Sequence, residues 1–212
     1  MTSLVGDVMT HNVVSVRGHA EFKEIVHVMR ERRFSAFPVL GTQDEVVGVV
    51  SEDDLLVKEA FRGPGAEPGF LVRRADRAKS AGLTAAELMT KPAITIEPTA
   101  TVAEAAHKMH AKHVKRLPVV TDDGKLVGIV SRTDLLGVYD RPDSDIRREI
   151  LDQVIHSQFV LDSLAFTVTV VAGIVTLSGQ VEREPVALSL LAAVRQVDGV
   201  VAVRDRLTYP HS

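Results

Sequence analysis

The chain has no cysteine and no tryptophan among its 212 residues. Without cysteine there are no disulfides, no thiolate metal ligands and no thiol nucleophile. The same absence fits a reducing compartment. Two tyrosines and seven phenylalanines leave the core to Val, Leu, Ala and Ile. The formal charge of −3 provides no global field for nucleic acid or an anionic membrane. The opening MTSLVGDVMTHN lacks the basic start and apolar run of a signal peptide. Residues 163–181 carry no charge, which approaches the length of a membrane span. Within them, however, Phe166, Val168 and Val170 alternate with threonine. Period two predicts a β-hairpin turning at Ala172-Gly173. With neither leader nor span, the expected location is cytoplasmic.

What the sequence does have is a repeat. Residues 8–56 recur at 88–136 with a constant offset of 80 and no gap. Fifteen of the 49 pairs are identical, where chance would give roughly three. They include Met9/Met89, Thr10/Thr90, His27/His107, Pro38/Pro118 and Gly48/Gly128. Each copy ends in Ser-x-x-Asp: Ser51 and Asp54, then Ser131 and Asp134. A duplicated unit builds its core between the copies and leaves two equivalent clefts.

Each copy carries the same order of signals. A short helical lead-in (4–9, 84–89) precedes a brief apolar strand (13–16, 93–96). An amphipathic helix follows at 21–32 and 101–112, opened in the second copy by a Thr101-x-x-Glu104 capping box. Two strands come next, 36–40 and 46–51, matched by 116–120 and 126–131. A last helix starts at Ser-x-x-Asp. The copies therefore occupy 1–60 and 84–140, with a linker at 61–83. That linker holds Gly63, Pro64, Gly65, Pro68 and Gly69, then RRADRAK. It reads as a solvated connection or as a basic patch for a phosphate or a partner. After Arg141-Pro142-Asp143-Ser144 the pattern changes. Residues 145–212 predict helix 145–157, hairpin 165–181, helix 184–197 and strand 200–208. This α-β-β-α-β order makes a small domain with helices on one face of a three-stranded sheet.

Ser-x-x-Asp at a helix start has two readings. It is a capping box, in which Ser and Asp satisfy free backbone N–H groups. It is also a place where those N–H groups and the helix dipole can receive a phosphate. His107, His110 and His113 lie three apart, but no carboxylate or cysteine completes a metal set. His113 falls at the helix end, where a left-handed residue is often needed. No catalytic triad spacing, P-loop or metalloprotease motif is present, so no enzyme is expected.

At these motifs the chain resembles a known family. VKRLPVVTDDGKLVGIVSRTDLL, and more loosely FSAFPVLGTQDEVVGVVSEDDLL, resemble CBS domains. The likeness implies a mixed α/β (α+β) fold in which two CBS motifs pack with pseudo-two-fold symmetry, often called a Bateman module. Such modules bind adenosine-containing ligands between the motifs and often form homodimers. By resemblance, Asp54 and Asp134 accept the ribose hydroxyls, with Ser51 and Ser131 near phosphate or ribose. Adenine is expected against Val13, Val14 and Phe37 in one copy, and against Ala93, Ile94, Val114 and Leu117 in the other. Simple core packing is the alternative for each of these. FTVTVVAGIVTLSGQV and VDGVVAVRDRL resemble a BON domain, a type associated with phospholipid or other hydrophobic surfaces.

The copies differ in charge. Lys115, Arg116 and Arg132 surround the second motif, where the first has Ser35, Ala36 and Glu52, with Asp53 alongside. Acidic neighbours repel a polyphosphate. The second motif is therefore expected to hold AMP, ADP or ATP, and the first to be empty or to hold an S-adenosylmethionine-like group. Side chains of one motif can, however, reach the ligand of the other. The main functional expectation is a ligand sensor that passes occupancy to the BON domain or to an unknown protein partner, with no required cofactor. The alternative is a ligand-independent dimeric interaction protein whose BON domain contacts membrane or protein. Residues 145–212 have two more acidic than basic side chains, which disfavours anionic lipid. Nucleic-acid binding through Arg73, Arg74, Arg77 and Lys79 lacks both a broad basic surface and stacking aromatics.

Overall fold

The computed structural model describes residues 3–61 and 79–209. The linker arginines Arg73, Arg74 and Arg77 lie outside the described residues. The repeat appears as two sets of matching elements. The first set is α1 (Val5–Val8), β1 (Val16–Arg17), α2 (Phe22–Arg32), β2 (Ala36–Leu40), β3 (Val46–Ser51) and α3 (Glu52–Ala60). The second is α4 (Ala85–Leu88), α5 (Val102–Ala111), β4 (Arg116–Val120), β5 (Leu126–Ser131) and α6 (Arg132–Leu136). Both strand pairs are antiparallel, with equivalent registers: Pro38 faces Val49, and Pro118 faces Ile129. Each pair slips register at the same place, after Val39 and after Val119. Arg33 and His113 end α2 and α5 with left-handed φ values of 55° and 54°, as helix C-termini often require.

The copies exchange their lead-ins. Thr90 forms a two-bond bridge to Val49, with N–O distances of 2.8 and 3.1 Å. Thr10 forms the equivalent bridge to Ile129, at 2.9 and 3.0 Å. Glu45 pairs with its own equivalent, Lys125. These exchanges are the signature of a pseudo-two-fold axis. Glycine lets the backbones approach closely at each bridge. A Cβ on Gly48 would press on the Met89 side chain and lie 3.1 Å from the Thr90 carbonyl oxygen, and one on Gly128 would press on Met9 and lie 3.2 Å from that of Thr10. The core beneath the first strand pair accordingly mixes copies. Ile25, Phe37, Val39 and Val50 pack with Ala85 and Leu88 of α4, all six fully buried.

The chain divides into two compact units. One comprises Met9–Ala100 and Met109–Ser131. The other comprises Met1–Val8, Thr101–Lys108 and Arg132–Ser212. The latter contains the C-terminal domain: α7 (Asp143–Glu149), β6 (Phe166–Val171), β7 (Ile174–Gln180), α8 (Glu184–Arg195) and β8 (Ala202–Thr208). Helix α7 continues through wider π-type turns over Ile150–Gln158. Strands β6 and β7 are antiparallel, and β8 lies parallel to β7 after the α8 crossover. Ile150, Ile155, Leu177, Leu190 and Val194 form the fully buried centre of its core. The uncharged stretch is thus a hairpin, turning where alternation placed it. Ala172 and Gly173 both have positive φ, 51° and 73°, as a tight hairpin turn demands. Asp143 accepts both of their backbone N–H groups, at 2.8 and 2.9 Å. No helix among the described residues is long and apolar enough to cross a membrane.

Candidate functional site

Strand β3 ends at Ser51, whose extended backbone caps α3. The Ser51 hydroxyl accepts weakly from the Asp54 N–H at 3.4 Å. Asp54 Oδ2 accepts from the Ser51 N–H at 2.8 Å and from its hydroxyl at 2.6 Å. The capping-box reading therefore holds in the first copy. It accounts for one carboxylate oxygen only. The other, Oδ1, accepts from the Thr90 hydroxyl at 3.1 Å and pairs with the Lys79 ammonium. Asp54 is the single buried charged residue among those described, 7% exposed. Burial of a carboxylate is costly unless it is paired and hydrogen-bonded, and here it is both.

A cavity of about 200 Å³ opens beside this acid. The first copy supplies Ser35, Ser51, Glu52, Asp53 and Asp54 to its walls. The second supplies Thr90, Ala93, Ile94, His113, Val114, Lys115 and Arg116. One wall is apolar and one rim is basic, in the style of a small-molecule site. Arg116 donates to the Ser35 hydroxyl. Lys115 lies 3.9 Å from Asp53, with both side chains largely in solvent, so this pair contributes little.

This geometry corrects the sequence-based charge argument. Lys115 and Arg116 line the cavity of the first motif, together with Glu52 and Asp53, rather than marking the second motif alone. A cleft in an exchanged repeat takes its acid from one copy and its apolar and basic walls from the other. Ile94, Ala93 and Val114 accordingly group with Asp54. The adenine positions Phe37 and Leu117 are fully buried in the strands and do not line the cavity. Val14 is half-buried against the first core. Ser131 ends β5 opposite Arg116, whereas Arg132 and Asp134 open α6 in the other compact unit. No group of three metal-ligating side chains occurs among the described residues.

Two participants were missed from sequence. Thr90 had a signal, since Met9-Thr10 and Met89-Thr90 are identical across the repeat. Lys79 was singled out only as the end of the basic RRADRAK run, and nothing in that run paired it with Asp54.

Comparison with known proteins decides the family. Residues 5–60 and 85–141, together more than half of the chain, match the model of the CBS domain. The chain belongs to the CBS-domain family. Residues 142–210 match the BON domain, so the CBS pair is followed by a BON domain. An uncharacterized protein of Methanopyrus kandleri is 32% identical over 134 residues, covering 63% of this chain and 61% of that one. The chloroplastic CBS domain-containing protein CBSX1 of Arabidopsis thaliana is 29% identical over 146 residues, 62% of each chain. The matches thus span about three fifths of these relatives' lengths. Among solved structures, CBSX2 in complex with AMP is 26% identical with a TM-score of 0.56, covering 64% of this chain and 95% of that one. The CBS pair of protein MJ0100, solved with 5′-methylthioadenosine and S-adenosyl-L-methionine, has a TM-score of 0.53 at 20% identity, over 66% of this chain and 98% of that one; it shares the fold. Some relatives are enzymes. One is an inosine-5′-monophosphate dehydrogenase of Nitrosopumilus maritimus, of which the matched region is 25%.

Proposed function

We propose that the CBS pair is a regulatory module that binds an adenosine-containing ligand in the cavity beside Asp54. Occupancy would then be passed to the BON domain or to a partner protein, and the module would work as a homodimer. The observation that carries this reading is the assembly of Ser51, Asp54, Thr90, Ile94, Val114 and Arg116 around one cavity. A carboxylate suits vicinal ribose hydroxyls. Ile94 and Val114 offer apolar flanks to a purine. Lys115 and Arg116 offer charge to a phosphate, which favours a phosphorylated nucleoside at this first motif. The AMP complex of CBSX2, similar in both sequence and fold, supports the same ligand class. In the inosine-5′-monophosphate dehydrogenase relative the matched region is a quarter of the enzyme and leaves most of it outside, in keeping with a regulatory role.

A ligand that binds only the folded state stabilises it by mass action, by about 2.7 kcal/mol at a hundredfold excess over Kd. Thermal unfolding of the full chain with AMP, ADP, ATP, S-adenosylmethionine and 5′-methylthioadenosine tests the reading. At least one should raise Tm in a saturable way. No shift with any of the five would remove the ligand role and leave an interaction module.

A further inference from the structure

The carboxylate expected to receive a ligand already holds an ammonium group from its own chain. Lys79 Nζ pairs with Asp54 Oδ1 and donates to the Thr90 hydroxyl at 2.7 Å. The Lys79 and Asp54 side chains are only 15% and 10% exposed, so this is not a solvated surface pair. Lys79 is held in place from behind. Three residues on, the Gly82 carbonyl accepts from Lys58 Nζ at 2.7 Å. The same Lys58 ammonium lies over the Phe22 ring, 5.3 Å from its centre. Helix α3 therefore presents Asp54 at its start and a clamp for the Lys79 segment near its end.

We propose that Lys79 is a tethered competitor, occupying the Asp54 carboxylate that a ligand's ribose hydroxyls would otherwise take and leaving it when ligand binds. The inference rests on the adenosine-ligand reading of this cavity. Its consequence is a link between occupancy and the chain that joins the two CBS motifs. Ligand would exchange one partner of Asp54 for another and release residue 79. A differential interaction of this kind is what a ligand needs to shift an equilibrium.

Two measurements on the full chain test it. First, AMP and S-adenosylmethionine are titrated calorimetrically into the natural protein, Lys79→Met and Lys79→Arg. Methionine keeps much of the apolar stem and removes the competing charge. Affinity should rise about tenfold, the equivalent of one ordinary charged hydrogen bond, and Lys79→Arg should stay near the natural value. Second, lysine acetylation by acetic anhydride is read at Lys79 by mass spectrometry. Labelling should be slow in the free protein and faster at saturating ligand. Ligand binding with unchanged affinity in Lys79→Met and unchanged Lys79 labelling overturns the competitor while leaving the ligand site standing. Weaker binding in Lys79→Met also overturns it, since Lys79 would then be holding ligand. Failure of both probes to bind any variant overturns the competitor together with the ligand reading.

Discussion

Asp54 makes the argument at the scale of a residue. Its two oxygens divide the labour: Oδ2 closes the cap with Ser51, and Oδ1 faces Thr90 and Lys79. Helix capping alone would be satisfied by the first set. The second set compensates the charge of a carboxylate that is buried beside the cavity. Truncating it leaves the Lys79 ammonium without its carboxylate and removes the cap. Breaking a buried pair costs about 3–5 kcal/mol, and Lys79 can recover part of that by turning to solvent. Asp54→Ala should therefore lower unfolding stability by about 2 kcal/mol, with an unchanged denaturant slope. Urea titration measures this directly. A loss below about 0.5 kcal/mol, the usual range for surface changes, would mean that the pair is not formed in solution. Ser51 and Asp54 were legible in the sequence because they recur eighty residues later. Lys79 was legible only as one cation of the basic RRADRAK run; its pairing with Asp54 was not, because that run is not repeated.

At the scale of elements, caps and close approaches carry the fold. Glu104 accepts from the Thr101 N–H at 2.7 Å and from its hydroxyl at 2.9 Å. The Thr101 backbone bond first, and its hydroxyl second, hold the Glu104 carboxyl below its usual value of 4.5. Glu87 is held below its usual value chiefly by the Leu83 N–H, then by that of Thr84. A carboxyl whose pKa is lower in the folded state stabilises fully above its unfolded pKa, and that stability is lost as pH falls through the folded pKa. Glu104→Gln should thus reduce Tm at neutral pH, and the gap to the natural protein should close as the pH drops below 4.5. Melting curves across that range check this; a gap independent of pH would contradict it. The exchanged bridges make a second prediction. Gly48→Ala meets the Met89 sulfur at 2.4 Å and the Thr90 carbonyl at 3.1 Å, and Gly128→Ala meets Met9 and Thr10 in the same way. Each substitution should cost about 1–3 kcal/mol, as overpacking does, measurable by urea unfolding. Near-neutral values at both sites would mean that Met89 and Met9 swing aside and the bridges leave room for a methyl group. Strand limits at 36–40, 46–51, 116–120 and 126–131 were readable because alternation and proline placement are local. The exchange of lead-ins was not, because it depends on which copy each bridge joins. That single unknown misdirected Lys115 and Arg116.

At the scale of the whole molecule, duplication and appendage have separate roles. The CBS pair supplies a cavity whose walls come from two copies. The BON domain supplies a separate core, built around Ile150, Leu177 and Leu190, with its hairpin turn latched by Asp143. The family and the element order could be read from sequence, since both follow from repeated or alternating patterns. Which copy supplies each wall of the cavity beside Asp54 needed three dimensions. The most direct test of the central claim is isothermal titration of AMP, ADP, ATP, S-adenosylmethionine and 5′-methylthioadenosine into the full chain and into Asp54→Asn. Asparagine keeps the size of the side chain and removes its charge. The account predicts saturable binding of at least one of these ligands, weakened about tenfold or more by Asp54→Asn, as expected for losing a hydrogen bond to a charged group. Equal affinity in the two proteins, or no binding heat with any of the five, would contradict it.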